Sequence, residues 1–192
     1  VYVARNRRFV GIIELSDPIR ESAHEAVAAL RNLGLRVQLV SGDVEAVVQA
    51  VANEAGIDDW RAHVSPEQKA AIVEDLRASG RRVAFVGDGI NDAPALACAD
   101  IGLAMGGGTE IALETAQSAI INGDPVTVAK AVQLSRATLR TIKQNLFWAL
   151  GYNVLLIPLA VAGIVHPIFA AAAMGASSLF VVGNSLRLRG TA

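Results

Sequence analysis

The run Val86-Gly87-Asp88-Gly89-Ile90-Asn91-Asp92-Ala93-Pro94-Ala95-Leu96 decides how this chain is read. The apolar residues from Val83 to Val86 predict a buried strand, and Gly87 and Gly89 permit a turn close to a ligand. Asp88 and Asp92 then stand at the strand's carboxyl end, where open α/β sheets bind their ligands. Two hard oxygen donors at such a tip suit Mg²⁺, which favours one or two carboxylates with phosphate and water. A second local reading has Asp88 opening a turn and Asp92 capping a helix; the residues alone leave both open.

Outward from this motif the chain alternates strands and helices. Val1 to Ala4 and Phe9 to Leu15 predict a hairpin, and Asp17-Pro18 a helix start followed by an apolar face of Ala23, Ala26, Val27 and Leu30. Leu35 to Val40 predicts a strand that runs into Ser41-Gly42-Asp43. A helix over 44–55 ends at Gly56, and Ala62 to Val64 predicts a short strand before the helix start Ser65-Pro66-Glu67. Lys69 falls in the first turn of that helix, where a cation is electrostatically out of place and an ordinary exposed lysine is the bland alternative. After the central motif, Ala99 to Met105 and Ser118 to Ile121 predict further strands, with a turn at Gly106-Gly107-Gly108 and a helix capped by Thr109 between them. Alternation with short connections predicts a doubly wound parallel sheet. Its tips after Val40 and Val86 face one edge, so Ser41, Lys69, Asp88 and Asp92 are expected to converge as a phosphate and Mg²⁺ constellation.

Charge divides the chain into two regions. Residues 1–124 carry all 18 acidic residues and 11 basic ones, whereas residues 125–192 carry six basic residues and no acid. No charge occurs from Leu146 to Leu186, which falls into two apolar runs around His166-Pro167. A helix of about 20 residues spans about 30 Å, the hydrocarbon thickness of a bilayer. Arg136, Arg140 and Lys143 precede the runs and Arg187 and Arg189 follow them, so the positive-inside rule puts both ends of this hairpin in the cytosol. Burial as two core helices of a soluble protein is the alternative, against which stand their length and lack of a polar face. The expected organisation is a cytosolic α/β domain over 1–124, a linking helix over 125–145, two membrane helices over 146–186 and a cytosolic tail over 187–192. Nucleic-acid binding is excluded, because the α/β part is net acidic and the basic residues cluster at membrane edges. The single cysteine, Cys98, builds no disulfide framework and predicts a small core residue.

The stretch from Gly87 to Leu96 resembles the GDGxNDAPAL signature of P-type ATPases, within the haloacid-dehalogenase-like superfamily, and the resemblance extends along essentially the whole chain. Asp17-Pro18 resembles the DP motif where the family's chain returns from its nucleotide-binding domain. Ser41-Gly42-Asp43 resembles the TGD motif with serine for threonine, and Lys69 resembles the lysine that neutralises the phosphoryl group. Asp88 resembles the Mg²⁺ ligand, and Asn91 and Asp92 resemble the neighbours that organise metal and phosphate. The resemblance implies ATP as substrate, an aspartyl-phosphate intermediate and ion movement across the plasma membrane. It also implies parts that this sequence lacks: the D-K-T-G nucleophile, an actuator domain, a nucleotide-binding domain and further membrane helices. Beginning at Val1, without methionine or signal peptide, the chain is expected to be a piece of a longer protein, inactive alone, with its other parts and membrane lipid as partners and a copper chaperone as a further candidate.

The transported ion is read from the apolar runs. Tyr152-Asn153 brings polar groups to membrane depth, and Pro158 frees a backbone carbonyl. Met174 lies three and four residues before Ser177 and Ser178, a spacing that puts thioether and hydroxyls on one helical face. A soft thioether favours copper(I), although Met among small residues also suits plain packing. The Y-N and M-x-x-S-S pair resembles copper and silver exporters of the heavy-metal class. The lysine and aspartate that zinc and cadmium relatives place in these helices are missing between Leu146 and Leu186. Other readings stay open at this point: a different heavy metal, a non-catalytic membrane partner that retains the fold, or a membrane-tethered phosphatase.

Overall fold

The computed structural model describes residues 2–13, 18–88, 90–106, 110–164 and 166–190. The chain forms two units, Val1–Val126 and Thr127–Ala192.

The first unit opens with an antiparallel hairpin, β1 (Tyr2–Arg5) and β2 (Arg8–Ile12), whose two-residue turn holds Asn6 and Arg7 at φ 50° and 63°. The expected continuation to Leu15, together with Asp17 of the DP motif, lies outside the described residues. Helix α1 spans Ser22–Asn32, not the stretch from Pro18 onward. Its apolar face begins only at Ala26 and Val27, both buried, while non-helical Ile19 packs on the same cluster. The chain before the helix thus adds Ile19 to the same core cluster.

Strand β3 (Gln38–Val40) pairs in parallel with β4 (Asp59–Arg61), and α2 (Glu45–Ala55) connects them and ends at Gly56 in the left-handed conformation. The strand expected at Ala62 to Val64 is displaced to 59–61. His63 sits at φ 54°, which breaks the extended chain, and Trp60 supplies the inward side chain that packs with Val27, Ala52 and Ile57.

Helix α3 (Pro66–Ala78) leads to the second parallel sheet, in which β5 (Ala84–Gly87), β6 (Ile101–Met105) and β7 (Ser118–Ile120) lie in that order. A 3₁₀ turn, Ile90–Asp92, and helix α4 (Ala93–Cys98) join β5 to β6, and α5 (Glu110–Thr115) joins β6 to β7. Thr109, the expected cap of α5, lies outside the described residues. The parallel doubly wound character is present. Among the described residues, however, hydrogen bonding divides the sheet in two, because β3 takes the displaced β4 as its partner and neither bridges to β5. The apolar residues of β5 remain correspondingly uncovered for a parallel strand, with Val86 42% exposed.

Beneath the second sheet, Val73, Ala95 and Ala99 pack with Phe85 and Cys98, and Leu96 packs with Ala104. The small side chains of α4 let it lie close against α3. Asp100 closes this layer. It accepts the Val83 N–H at 2.9 Å and pairs with Arg82 at 3.1 Å and Arg77 at 3.4 Å. The Val83 bond, ahead of the two guanidiniums, holds its carboxyl below the ordinary value. That contribution is present above the unfolded carboxylate value and is lost as pH falls through the lower folded one. Cys98 is partly buried against the same cluster; burial first, then the Glu74 carboxylate at 3.5 Å, pushes its thiol upward.

The second unit is a helical hairpin of α6 (Val126–Val161) and α7 (Pro167–Leu186). Both helices are long and apolar enough to cross a membrane. The linking helix and the first apolar run form one continuous helix with Pro158 inside it, and a 3₁₀ turn over Arg187–Gly190 follows α7.

Leu96 is 0% exposed, so Leu96→Ala is expected to destabilise the α/β unit by about 2–5 kcal/mol. Urea unfolding followed by circular dichroism measures this; a loss below about 1 kcal/mol would contradict the core described here.

Candidate functional site

Local sequence explains why α3 begins where it does. Ser65 accepts the Gln68 N–H at 3.3 Å, the Gln68 side chain accepts the Ser65 N–H at 2.8 Å, and Pro66 occupies the first helical position. The Ser65 hydroxyl also donates to Glu67 at 2.7 Å and holds that carboxyl below its ordinary value. One turn later Lys69 leaves the helix. Its Nζ reaches Asp92 Oδ1 at 2.7 Å, with the two side chains only 14% and 13% exposed. The cation that opposes its own helix terminus is matched by a carboxylate from the tip of β5, 23 residues on.

Asp92 occupies the N-cap position of α4 but makes no side-chain cap. Its Oδ1 faces Lys69 and its Oδ2 accepts the Asp88 N–H at 3.4 Å. The capping alternative therefore fails: the carboxylate is turned away from its own helix and into the site. Gly87 explains how it gets there. A Cβ on Gly87 would lie 2.7 Å from both Asp92 Cβ and Oδ2. This glycine is required for space at the carboxylate, a reason different from the turn conformation inferred from sequence. Asp88 and Asn91 are exposed beside the pair, and Gly89 lies outside the described residues.

Ser41 enters by another route. Its hydroxyl donates to Asp43 at 2.7 Å and accepts the Asp43 N–H at 3.2 Å, closing a small turn over Gly42. Its backbone bonds Arg61 and Val64, the residues that lead into the Ser65 cap and Lys69. The described contacts thus tie the Ser41-Gly42-Asp43 turn to the start of α3, whereas its strand is not paired to that of Asp88.

As a Mg²⁺ donor set these residues fit in part. Among the described residues no side chain pairs with the exposed Asp88 carboxylate, and no group of three or more His, Cys, Asp or Glu ligands occurs. That composition suits an ion completed by phosphate and water, not a protein cage.

In the helical hairpin, Asn153 donates to the Ala149 carbonyl at 2.7 Å and Ser178 donates to the Met174 carbonyl at 3.1 Å, each within its own helix. Tyr152 and Ser177 are half-buried, whereas Ser178 is exposed and Met174 is 60% exposed. Ser177 and Ser178 diverge by about 100° around the axis, so the neighbouring helix covers one and not the other. Sequence reading passed over Gln144, Asn145, Asn184 and Ser185, which join the two helices by hydrogen bonds. Their signal was available: amides at the ends of both apolar runs, just inside Lys143 and Arg187.

Comparison with known proteins accounts for this arrangement. The haloacid dehalogenase-like hydrolase model matches residues 1–100, and a second model of that description matches residues 69–132. The chain is 50% identical to copper-transporting ATPase 1 of Rhizobium meliloti over 98% of its own length and 24% of that protein. It is 52% identical to a copper-exporting P-type ATPase of Bacillus subtilis, over 93% and 22%. A zinc-transporting PIB-type ATPase solved in its E2.Pi state superimposes with TM-score 0.86 at 37% identity, covering 97% of this chain and 31% of that one. The chain therefore belongs to the haloacid-dehalogenase-like hydrolases and, among them, to the heavy-metal-class P-type ATPases. It spans about a quarter of the length of the curated relatives that it matches.

Because Gly87 leaves room for Asp92, Gly87→Ala is expected to cost about 1–3 kcal/mol by overpacking, without any backbone strain. Urea unfolding of the α/β unit measures the loss. Substitution at no cost would mean that Asp92 does not lie against this strand.

Proposed function

We propose that this chain is the distal part of the phosphorylation domain and the last two membrane helices of an ATP-driven heavy-metal exporter, with copper(I) as the ion carried. The observation that supports it best is the 2.7 Å pair of Lys69 with Asp92 beside Asp88 at the tip of β5. In this reading residues 1–124 are cytosolic, 125–145 link to the membrane, 146–186 cross the plasma membrane twice and 187–192 return to the cytosol. The charge pattern supports that orientation.

The nucleophilic aspartate comes from a segment outside this chain, since no D-K-T-G occurs in it. Lys69 neutralises phosphoryl oxygens as charge gathers on them, and Asp92 aims the ammonium between turnovers. Asp88, with Asp92, would hold Mg²⁺, which offsets the charge of the phosphate bound there. Asn91 supports that pair, and the Ser41 hydroxyl, with Gly42 and Asp43 shaping its turn, binds a phosphoryl oxygen. By the resemblance of their motifs, Asp17, Gly87 and Gly89 are assigned to the same phosphate-associated set. ATP is the substrate, and alone the chain forms no aspartyl phosphate.

For the ion, Tyr152, Asn153, Met174, Ser177 and Ser178 line the proposed pathway. Met174 has the only side-chain sulfur in either apolar run, and no lysine or aspartate accompanies it. One of the matching solved structures is described as a zinc-transporting ATPase, so the fold alone does not discriminate between the ions. A copper chaperone is a proposed partner.

Asp88→Asn in the full-length protein is expected to lower phosphoenzyme formed from ATP by about 100-fold or more, because a carboxamide keeps the shape and removes the charge. Wild-type phosphoenzyme in that variant would remove Asp88 from the site. Met174→Leu is expected to cost less than about 1.5 kcal/mol in packing yet to lower copper(I) binding in lipid-reconstituted protein. Unchanged copper(I) binding, or stimulation of the parent by Zn²⁺ and not copper(I), would overturn the choice of ion.

A further inference from the structure

Between α6 and α7, among the described residues, a cluster of amide and hydroxyl side chains joins the two helices. Asn184, 7% exposed, donates both amide hydrogens across to α6, to Gln144 Oε1 at 3.2 Å and Asn145 Oδ1 at 2.9 Å. Asn145 returns a hydrogen bond to Ser185 Oγ at 3.0 Å. Both side-chain amide hydrogens of Asn184 are therefore committed to the partner helix. One turn deeper, the rings of Trp148 and Phe180 meet with centroids 5.3 Å apart.

These two contacts define the antiparallel register. Seven residues further along α6 from Asn145 is Tyr152, and seven residues back along α7 from Asn184 is Ser177; both are half-buried, as residues on the facing seam should be. Two helical turns, about 10 Å, separate that level from the amides. Met174 follows Ser177 by one more turn. Sliding α7 by one turn would put Val181 or Leu188 opposite Asn145 and would leave the Asn184 amide against apolar side chains. Against such a slide stand these directional hydrogen bonds together with the Trp148–Phe180 ring contact. A single buried amide is known to specify register in paired helices, because every other alignment leaves it unsatisfied.

We propose that Gln144, Asn145, Asn184 and Ser185 form an amide clamp at the charged ends of the hairpin, and that this clamp positions Tyr152, Ser177 and Met174 for metal-ion coordination. The four are positioning residues, about 10 Å from the ion level, and touch no ion themselves. This inference rests on the transporter reading for its consequence, though not for the clamp.

The test uses the full-length protein reconstituted in lipid, with buffered copper(I) as the probe. Asn184→Leu is expected to raise the half-saturating copper(I) concentration for ATP hydrolysis by about tenfold, with the maximal rate kept within about twofold. Asn145→Leu should do the same, and the double variant should be no worse than either single one, since all remove the same contact. An unchanged half-saturation in Asn184→Leu, or a fall in maximal rate alone, would overturn the positioning role. A second measurement reads the clamp without reference to transport. Paired Trp148→Cys and Phe180→Cys substitutions, one turn from the intact amides, should cross-link on mild oxidation or with a short bifunctional thiol reagent, with the yield reduced by about threefold or more once Asn184→Leu is added. Equal yields would overturn the clamp. A parent protein whose ATP hydrolysis responds to no metal ion would overturn the transporter reading, and with it the positioning role, while the cross-link still decides the clamp.

Discussion

The ion pair between Lys69 and Asp92 is the constraint on which the α/β unit depends. It connects the first turn of α3 with the turn after β5, two places with no reason to meet from local preference alone. A lysine near the positive end of a helix is unfavourable until a carboxylate offsets it. A carboxylate as enclosed as Asp92 is costly until a cation and an N–H satisfy it. Each residue removes the other's penalty. Gly87 belongs to the same arrangement, because any larger side chain would occupy the volume through which Asp92 reaches Lys69.

The same logic recurs in the helical hairpin with uncharged groups. Asn184 and Asn145 satisfy one another across an apolar interface, where an unpaired amide would be expensive. Charge is excluded from this region and collected at its ends, so amides are the strongest directional groups available there. In both units a contact between polar side chains far apart in sequence decides an alignment that apolar packing leaves loose.

The division of the parallel strands into two hydrogen-bonded sheets bears on how the site is completed. β5 carries Asp88 at its tip and has Val86 more exposed than a parallel strand usually allows. The Ser41 turn is tied to the start of α3 and not to β5. Under the proposed function, the missing nucleophile would approach a site of which this chain supplies the lysine, the carboxylates and a hydroxyl.

Much of this was legible in the sequence. Continuous apolar runs mark strands and membrane-length helices because backbone periodicity and bilayer thickness act on local stretches of chain. Ser65-Pro66-Glu67 announces a helix start by cap chemistry that is itself local. The glycines and carboxylates of 87–92 are recognisable as a strand-end ligand motif for the same reason. Other features could be decided only by tertiary contact. Strand β4 lies at 59–61 because Trp60 has a core to enter, and α1 starts late because Ile19 does. Asp92 faces Lys69 in preference to its own helix, and Asp100 gathers Val83, Arg77 and Arg82, because each partner lies at least 17 residues away. Local sequence determined which residues had chemistry to offer; the partners that satisfy them were selected by the long-range packing that brings them within hydrogen-bond distance.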